Sequence, residues 1–135
     1  MSYDLSARGQ LINLAGGAAT DGIVTDTFSS IENAIGTQFT DRIAAGADAN
    51  RLEGRGGNDT FVFQRGQANG DTVTDFAGNG AGAGDTLEFV GYGPGATFVQ
   101  LDGTHWQINS GDGFTHETIT LQNAAAVHQS DVLFV

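Results

Sequence analysis

A nine-residue period in the middle of the chain constrains its fold more than any other feature. Five units share one frame, and they cover residues 36–44, 45–53, 54–62, 66–74 and 80–88. The sixth place is an acid or its amide, and it is filled by Asp41, Asn50, Asp59, Asp71 and Asp85. The eighth place is apolar in every unit. A period of this kind predicts a solenoid, because one unit cannot bury its apolar face without a neighbour stacked on it.

Within one unit, the residue types predict a turn followed by a short strand. The first five places are mostly glycine, alanine and small polar residues, which suit tight turns. The last places alternate between polar and apolar residues, which is the pattern of a half-buried strand. Two units then make a coil of about 18 residues, and successive coils stack as parallel strands about 4.8 Å apart. We therefore predict an all-β fold, a parallel β-roll with two short strands per coil.

Stacking of alternate units sorts the sixth-place side chains into two columns. The first column contains Asp41, Asp59 and Asp85, and the second column contains Asn50 and Asp71. Carboxylates about 4.8 Å apart repel by roughly 1 kcal/mol in water and by about 3.5 kcal/mol at an effective dielectric constant of about 20. Calcium, with Ca–O distances of about 2.3–2.6 Å, would offset that repulsion, and glycine turns would expose carbonyl oxygens as further ligands. The alternative is that these residues only form turns, which explains any one of them but not the shared frame.

These repeats resemble the RTX family, the repeats-in-toxin or hemolysin-type calcium-binding proteins, whose nonapeptide is G-G-x-G-x-D-x-U-x with a large apolar residue at U. The unit 54–62, GRGGNDTFV, is the best match and departs only where Arg55 replaces the second glycine. The unit 36–44 lacks two of the glycines, and the unit 45–53 begins with alanine and has Asn50 in the sixth place.

The flanking segments resemble the same family more weakly. Residues 25–37 resemble segments that lead into such repeats, and residues 58–89 resemble the end of the roll in secreted proteases, lipases and epimerases. The terminus SDVLFV (130–135) resembles the C-terminal export signal of type I secretion substrates. The resemblance implies a roll that folds outside a Gram-negative bacterium and forms the non-catalytic end of a larger exported protein.

Carried over by position, the resemblance implies a set of calcium ligands. The first column is expected to be the better calcium side, because the second column has the uncharged Asn50 in place of a carboxylate. The implied ligands are the side chains of Asp41, Asp59, Asp85, Asp71 and Asn50, with carbonyl oxygens of Gly36, Gly54, Gly56 and Gly57.

We expect a single domain over residues 1–135, with an N-terminal degenerate coil (1–35), the calcium-binding repeats (36–89) and an antiparallel C-terminal cap (90–135) that includes the export signal. The strands expected outside the repeats are Leu11–Leu14, Ile23–Val24, a hairpin around Asp102–Gly103 formed by residues 96–101 and 105–108, Glu117–Leu121 and Val132–Val135.

The composition excludes several other functions. A net charge of −11, with no lysine, disfavours nucleic acid and anionic lipid as partners. The absence of cysteine excludes disulfides and zinc–thiolate sites, and no H-E-x-x-H or G-x-S-x-G motif is present, so we expect no enzyme.

The sequence thus predicts a calcium-binding RTX module that is exported through the type I secretion machinery. The alternative is a polysaccharide-binding module with structural calcium, in which Trp106 would be a sugar-stacking platform.

Overall fold

The computed structural model describes residues 1–80 and 82–135, and short strands dominate this part of the chain. Ala81, the second residue of the fifth predicted repeat, lies outside the described residues. The strands are β1 (Leu11–Asn13), β2 (Ala18–Thr20), β3 (Thr25–Thr27), β4 (Asn33–Ile35), β5 (Arg42–Ala44), β6 (Arg51–Glu53), β7 (Thr60–Gln64), β8 (Thr72–Val73), β9 (Thr86–Val90), β10 (Thr97–Gln100), β11 (His105–Asn109), β12 (His116–Leu121) and β13 (Val132–Phe134), the last preceded by a 3-10 turn (Gln129–Asp131).

The strands form two sheets, and consecutive strands of the repeats alternate between them. One sheet has seven strands in the order β13-β9-β7-β5-β1-β2-β3, and the other has six in the order β10-β11-β12-β8-β6-β4. In the first, β1, β5, β7, β9 and β13 are parallel, and in the second, β4, β6, β8 and β12 are parallel. The predicted parallel β-roll is therefore confirmed. No helix among the described residues has the length and apolar character needed to cross a membrane.

The eighth place of each repeat supplies the core of the roll. Ile43 pairs with Phe61, and Phe61 with Leu87, so these side chains form a continuous ladder in the seven-stranded sheet. Leu52 and Val73 form the matching ladder in the six-stranded sheet. All five are fully buried. Side chains in a strand alternate between faces, so the flanking polar residues are left on the outer surface.

The N-terminal segment differs in part from the predicted degenerate coil. Ser2 bridges to Ile35 in parallel and β1 pairs in parallel with β5, so residues 1–13 do continue the roll. The chain then makes an antiparallel meander through β2 and β3. The predicted strand at Ile23–Val24 was wrong, because both backbone N–H groups donate to Asp21 Oδ1 and fold this pair into a turn.

The C-terminal segment contains the strands expected of it. β10 and β11 form an antiparallel hairpin around Asp102–Gly103, and β11 pairs antiparallel with β12. Two strands, however, extend the roll rather than cap it, because β12 is parallel to β8 and β13 is parallel to β9. The predicted export signal (130–135) therefore coincides with a strand that is hydrogen-bonded within the roll.

Candidate metal centre

The turns that enter β5, β7 and β9 end in the three acids of the first column. Asp41 and Asp59 are each 1% exposed and Asp85 is 5% exposed, although ionised carboxylates are almost never found so deeply buried without partners. Their positions follow directly from the strand register, in which Arg42, Thr60 and Thr86 are neighbours. The repeat therefore brings these acids together as the sequence predicted.

Each carboxylate of the first column accepts a hydrogen bond from the backbone of the preceding coil. The backbone N–H of Asp41 donates to Asp59 Oδ1 at 2.8 Å, and that of Asp59 donates to Asp85 Oδ1 at 2.8 Å. The partners are separated by 18 and 26 residues, so the longer turn before β9 does not interrupt the series. Gln10 N–H continues it at the N-terminal end by donating to Asp41 Oδ1 at 2.6 Å.

The second carboxylate oxygen distinguishes Asp59 from its neighbours. Asp41 Oδ2 accepts from Thr37 N–H at 2.6 Å, and Asp85 Oδ2 accepts from Ala77 N–H at 2.8 Å. Asp59 Oδ2 is buried and has no hydrogen-bond partner among the described residues. Burying an anionic oxygen without a hydrogen-bond partner costs several kcal/mol of folding free energy, because its hydration is lost and not replaced. Asp59 Oδ2 is thus the first-column atom most in need of a cation.

Burial also disfavours the charged form of these acids. The pKa of Asp59 is raised to about 7, with desolvation as the largest cause. The hydrogen bond from Asp41 N–H opposes this rise, and the negative charges of Asp85 and Asp41 contribute to it. Desolvation likewise raises the pKa of Asp41 and of Asp85, although backbone N–H bonds oppose the rise at both. A divalent cation would reverse this balance, because it stabilises the ionised carboxylate.

The glycines of the first column make room for the carboxylates. A methyl group at Gly36 would lie 2.3 Å from Asp41 Oδ2, and one at Gly54 would lie 2.2 Å from Asp59 Oδ2. Gly57 adopts φ +106°, where side chains are strained, and its Cα faces the Phe39–Thr40 backbone. Gly56 lies against Gln38 in the same stack. All four predicted glycines therefore lie in the turns that carry Asp41 and Asp59.

The second column has the same design with one amide in it. Asn50 N–H donates to Asp71 Oδ1 at 2.8 Å, and Asn50 Oδ1 accepts from Gly46 N–H at 2.6 Å. Asp71 is fully buried, and its Oδ2 has no partner within the described part of the chain. The pKa of Asp71 is raised to about 7, mainly by desolvation and also by the charge of Glu117, while the hydrogen bond from Asn50 N–H opposes the rise.

Three acids that the sequence interpretation did not assign to the columns also bind turns. Asp75 accepts from Gly54 N–H at 2.9 Å and from Arg55 N–H at 2.7 Å. Glu117 is 5% exposed and accepts hydrogen bonds from Gly66 N–H, Ala68 N–H and the Tyr92 hydroxyl. Asp131 is 2% exposed and accepts hydrogen bonds from Gly80 N–H and His128 N–H. Glu117 shares one face of β12 with buried Ile119 and Leu121, so an acid on an apolar face was the available signal.

The donor set fits calcium better than a transition metal. Within residues 1–80 and 82–135, no group of three or more histidine, aspartate or glutamate side chains converges as a metal-binding cluster. A site in these columns would therefore combine one or two carboxylates with backbone carbonyl oxygens. Such all-oxygen shells suit calcium, which accepts flexible coordination by carboxylates and carbonyls. The unpartnered, buried oxygens of Asp59 and Asp71 are consistent with this chemistry.

Trp106, considered as a sugar-stacking platform, is partly buried. Its indole ring stacks on Phe98 with centroids 4.8 Å apart and an interplanar angle of 18°. One face of the ring is therefore covered by the protein itself, which leaves the polysaccharide interpretation a prediction.

Comparison with known proteins identifies the repeats. Residues 35–67 match the family model of the RTX calcium-binding nonapeptide repeat, which is described as four copies. No curated protein matches the chain. The matched segment contains Asp41, Asn50 and Asp59 together with all four predicted glycines. Repeats of this family are structural, non-catalytic elements that bind calcium. The chain is therefore a β-roll with RTX calcium-binding nonapeptide repeats.

Proposed function

We propose that the chain is an export module that folds on binding calcium outside the cell and carries a C-terminal signal for type I secretion. The observation that supports it is the pair of buried, unpartnered carboxylate oxygens of Asp59 and Asp71 in the stacked repeat turns. Without calcium these oxygens oppose folding, and with calcium they become ligands. Anything that binds the native state alone adds stability by mass action.

This coupling suits export. In a calcium-poor cytosol the acids of the first column repel one another, and a loosely folded chain can pass through a channel. At extracellular calcium, sites with dissociation constants of about 10⁻⁴–10⁻³ M are filled and the roll forms. Proteins with RTX repeats are typically secreted by type I systems, which supports an extracellular location for this chain.

Far-UV circular dichroism during a calcium titration, after chelation, tests the folding half of the proposal. We expect a cooperative gain of β signal for the wild type. Asp59→Ala should lose most of this gain at the same calcium concentration, because both a ligand and the acceptor of Asp41 N–H are removed. Asp48→Ala is the matched control, since it removes an exposed acid from a repeat turn. Calcium-induced folding of unchanged affinity in Asp59→Ala would contradict the proposal.

The export half requires a separate experiment. The module is fused to a reporter in a strain with a type I secretion system, and residues 130–135 are deleted. Because β13 and Asp131 also contribute to the folded roll, Glu117→Ala, which removes a buried, turn-binding acid outside the signal, is included as a folding control. We expect the deletion to abolish export and Glu117→Ala to preserve it. Undiminished export of the deleted form would remove the signal assignment and leave the calcium function untouched.

A further inference from the structure

An acid from outside the repeats binds the turn that precedes Asp71. Glu117 lies on β12, and its carboxylate accepts hydrogen bonds from Gly66 N–H and from Ala68 N–H, each at 3.0 Å. The carbonyl oxygen of Ala68 in turn accepts a hydrogen bond from Asp71 N–H at 3.2 Å. A single residue of the turn is therefore hydrogen-bonded to both acids.

Backbone contacts hold the two acids close together. Gly70 N–H donates to the Thr118 carbonyl oxygen at 2.9 Å, and Thr118 N–H donates to Asn69 Oδ1 at 3.0 Å. The residues next to Asp71 and next to Glu117 are thus hydrogen-bonded to each other. This contact is fixed by the fold, because β12 pairs in parallel with β8 in the same sheet.

The turn before Asp71 does not supply the hydrogen bond that an ordinary repeat gives its acid. In the first repeat the second-place N–H, that of Thr37, donates to Asp41 Oδ2 at 2.6 Å. The equivalent N–H of Gln67 donates instead to the Gln64 carbonyl oxygen at 2.9 Å, and the acid of β12 occupies the N–H groups on either side of it. Asp71 Oδ2 is consequently buried with no partner among the described residues.

The two acids form a buried pair of like charge. Asp71 is fully buried and Glu117 is 5% exposed. Within residues 1–80 and 82–135, neither takes part in an ion pair, and Arg65, the arginine nearest to this turn in sequence, pairs with Asp112 at 2.8 Å. Buried charges in proteins are paired with opposite charges or coordinate metal ions. No protein cation fills that place for this pair in the described part of the chain.

Tyr92 orients the Glu117 carboxylate and leaves it a free acceptor position. The Tyr92 hydroxyl is buried and donates to Glu117 Oε2 at 2.6 Å. Desolvation, this hydrogen bond and the charges of Glu117 and Asp71 raise the pKa of Tyr92, which places both carboxylates near the hydroxyl. A carboxylate has about four acceptor positions, and three of those of Glu117 are used. The remaining position and Asp71 Oδ2 are open to a cation.

We infer that Asp71 and Glu117 share one calcium ion, with Asp71 Oδ2 and the Glu117 carboxylate as its charged ligands. Two negative charges balance the ion, and carbonyl oxygens of the turn complete an all-oxygen shell. The family match ends at residue 67, so both acids lie outside the matched repeats. This site deepens the proposed calcium function and rests on it, because the ion joins the C-terminal strand β12 to the repeats.

Isothermal titration calorimetry with calcium, after chelation, counts the bound ions and measures their affinities. We expect Glu117→Gln to bind one ion fewer than the wild type, or to bind that ion at least about tenfold more weakly. Asp71→Asn keeps Oδ1 as the acceptor for Asn50 N–H and should lose the same ion. The double variant should lose no more than either single variant, because both ligands belong to one ion.

Glu88→Gln is the matched control, since it also removes one glutamate charge from a strand. Glu88 lies on β9 in the other sheet and pairs with Arg42 at 2.8 Å, so this variant should keep the wild-type number of ions. Melting temperatures in calcium and in chelator separate the two possible roles of Glu117. Loss of an acid that only holds the turn lowers both equally, whereas loss of a ligand lowers mainly the value in calcium.

Terbium luminescence locates the ion even if Glu117→Gln does not fold. Terbium replaces calcium in all-oxygen sites and emits strongly when a nearby tyrosine is excited. The chain has two tyrosines, and only Tyr92 is hydrogen-bonded to Glu117. Tyr92→Phe should therefore lose most of the tyrosine-sensitised emission, and Tyr3→Phe should retain it. Equal emission from both variants would contradict an ion at Glu117.

The titrations also separate this site from the proposed function. A wild-type number of ions, bound at wild-type affinity, in folded Glu117→Gln would overturn the shared ion, and so would loss of two ions in the double variant. If calcium still folds the wild type and no longer folds Asp59→Ala, either of these results leaves the proposed function standing. A wild type that takes up no calcium would remove both.

Discussion

The two columns are built from one repeat, yet they differ in the residue that occupies the first place of its units. In the first column that place is glycine, and a methyl group there would lie within 2.3 Å of the carboxylate at Gly36 and within 2.2 Å at Gly54. In the second column the chain already has Ala45, which is buried. In the units 36–44 and 54–62 the first glycine is therefore needed because the carboxylate lies against the turn, whereas a methyl group at Gly66, in the unit of Asp71, would have no atom within 4 Å. Where an amide occupies the sixth place, as at Asn50, the methyl group is accommodated.

The columns also differ in their charge. The first column stacks three carboxylates, whereas the second replaces one of them by Asn50 and receives Glu117 from β12 near Asp71. Each column nevertheless keeps one buried carboxylate oxygen, at Asp59 and at Asp71, that has no partner in the part of the chain that the structure describes. The number of acids in a column is thus a poorer guide to its need for a cation than the hydrogen bonds that each acid receives.

The largest effect expected from this comparison is that of pH on the calcium-free protein. The pKa of Asp59 and of Asp71 is raised to about 7 in the folded chain, against about 3.9 in an unfolded one. The folded state therefore binds more protons in this window. The stabilisation that the protonated forms of these two acids provide is fully present below about pH 4. It decreases as the pH rises towards about 7, by up to about 1.4 kcal/mol per pH unit for each group.

Urea unfolding in chelator at several pH values measures this dependence. Asp59→Asn removes one of the two groups and should reduce the slope, and Asp71→Asn makes the same change in the second column. Saturating calcium should remove most of the dependence in the wild type. A calcium-free stability that rises with pH over this window would contradict the assignment.

The next effect separates the glycines of the two columns. Gly54→Ala introduces a methyl group against Asp59 Oδ2, Asp59 Cγ and Phe61 Cζ at 2.2, 2.8 and 3.0 Å, and should destabilise the roll by about 1–3 kcal/mol. Gly46→Ala in the second column meets its nearest atom at 3.5 Å and should change stability by less than about 0.5 kcal/mol. Thermal unfolding of both variants in calcium compares them, and equal losses would show that the carboxylate contact is not the cause.

The smallest effect comes from making the second column resemble the first. Asn50→Asp is close to isosteric and keeps the acceptor for Gly46 N–H, but it adds a negative charge next to Asp71. We expect a loss of about 1 kcal/mol without calcium and a larger stabilisation when calcium is added. The difference in melting temperature with and without calcium measures both. A variant that is more stable than the wild type in chelator would argue against repulsion within the column.

Within the nonapeptide repeats, the local sequence was sufficient to predict the fold and the site. The places of Asp59 and Phe61 within one unit predicted both the column and the core ladder, because a parallel register preserves the period. The contacts of Glu117 and Asp131 with the turns could not be predicted in this way. Each reaches a glycine N–H that is 51 residues away in sequence, at Gly66 and Gly80, and no local pattern specifies such a pair.

The N-terminal difference has a local cause instead. The apolar pair Ile23–Val24 indicated a strand, but Asp21 Oδ1 accepts hydrogen bonds from both backbone N–H groups of the pair and makes a turn.

Arg55 is a similar case, since it adopts φ 74° at a place where the repeat normally has glycine. A side-chain acceptor or an ion pair can thus override the preference of a residue, and here Arg55 pairs with Glu53 at 3.1 Å.

The hydrogen bonds along the first column give the roll a direction. Because the backbone N–H of Asp41 donates to Asp59 and that of Asp59 donates to Asp85, each coil is completed by the one that follows it in sequence. Trimming from the N-terminal side leaves a carboxylate oxygen that water can solvate at little cost. Trimming from the C-terminal side removes the carboxylate itself, and with it both the acceptor of the preceding backbone N–H and a proposed calcium ligand. Shortened versions of the chain should therefore tolerate loss of early coils better than loss of late ones, and the last coil should act as the seed on which the others assemble.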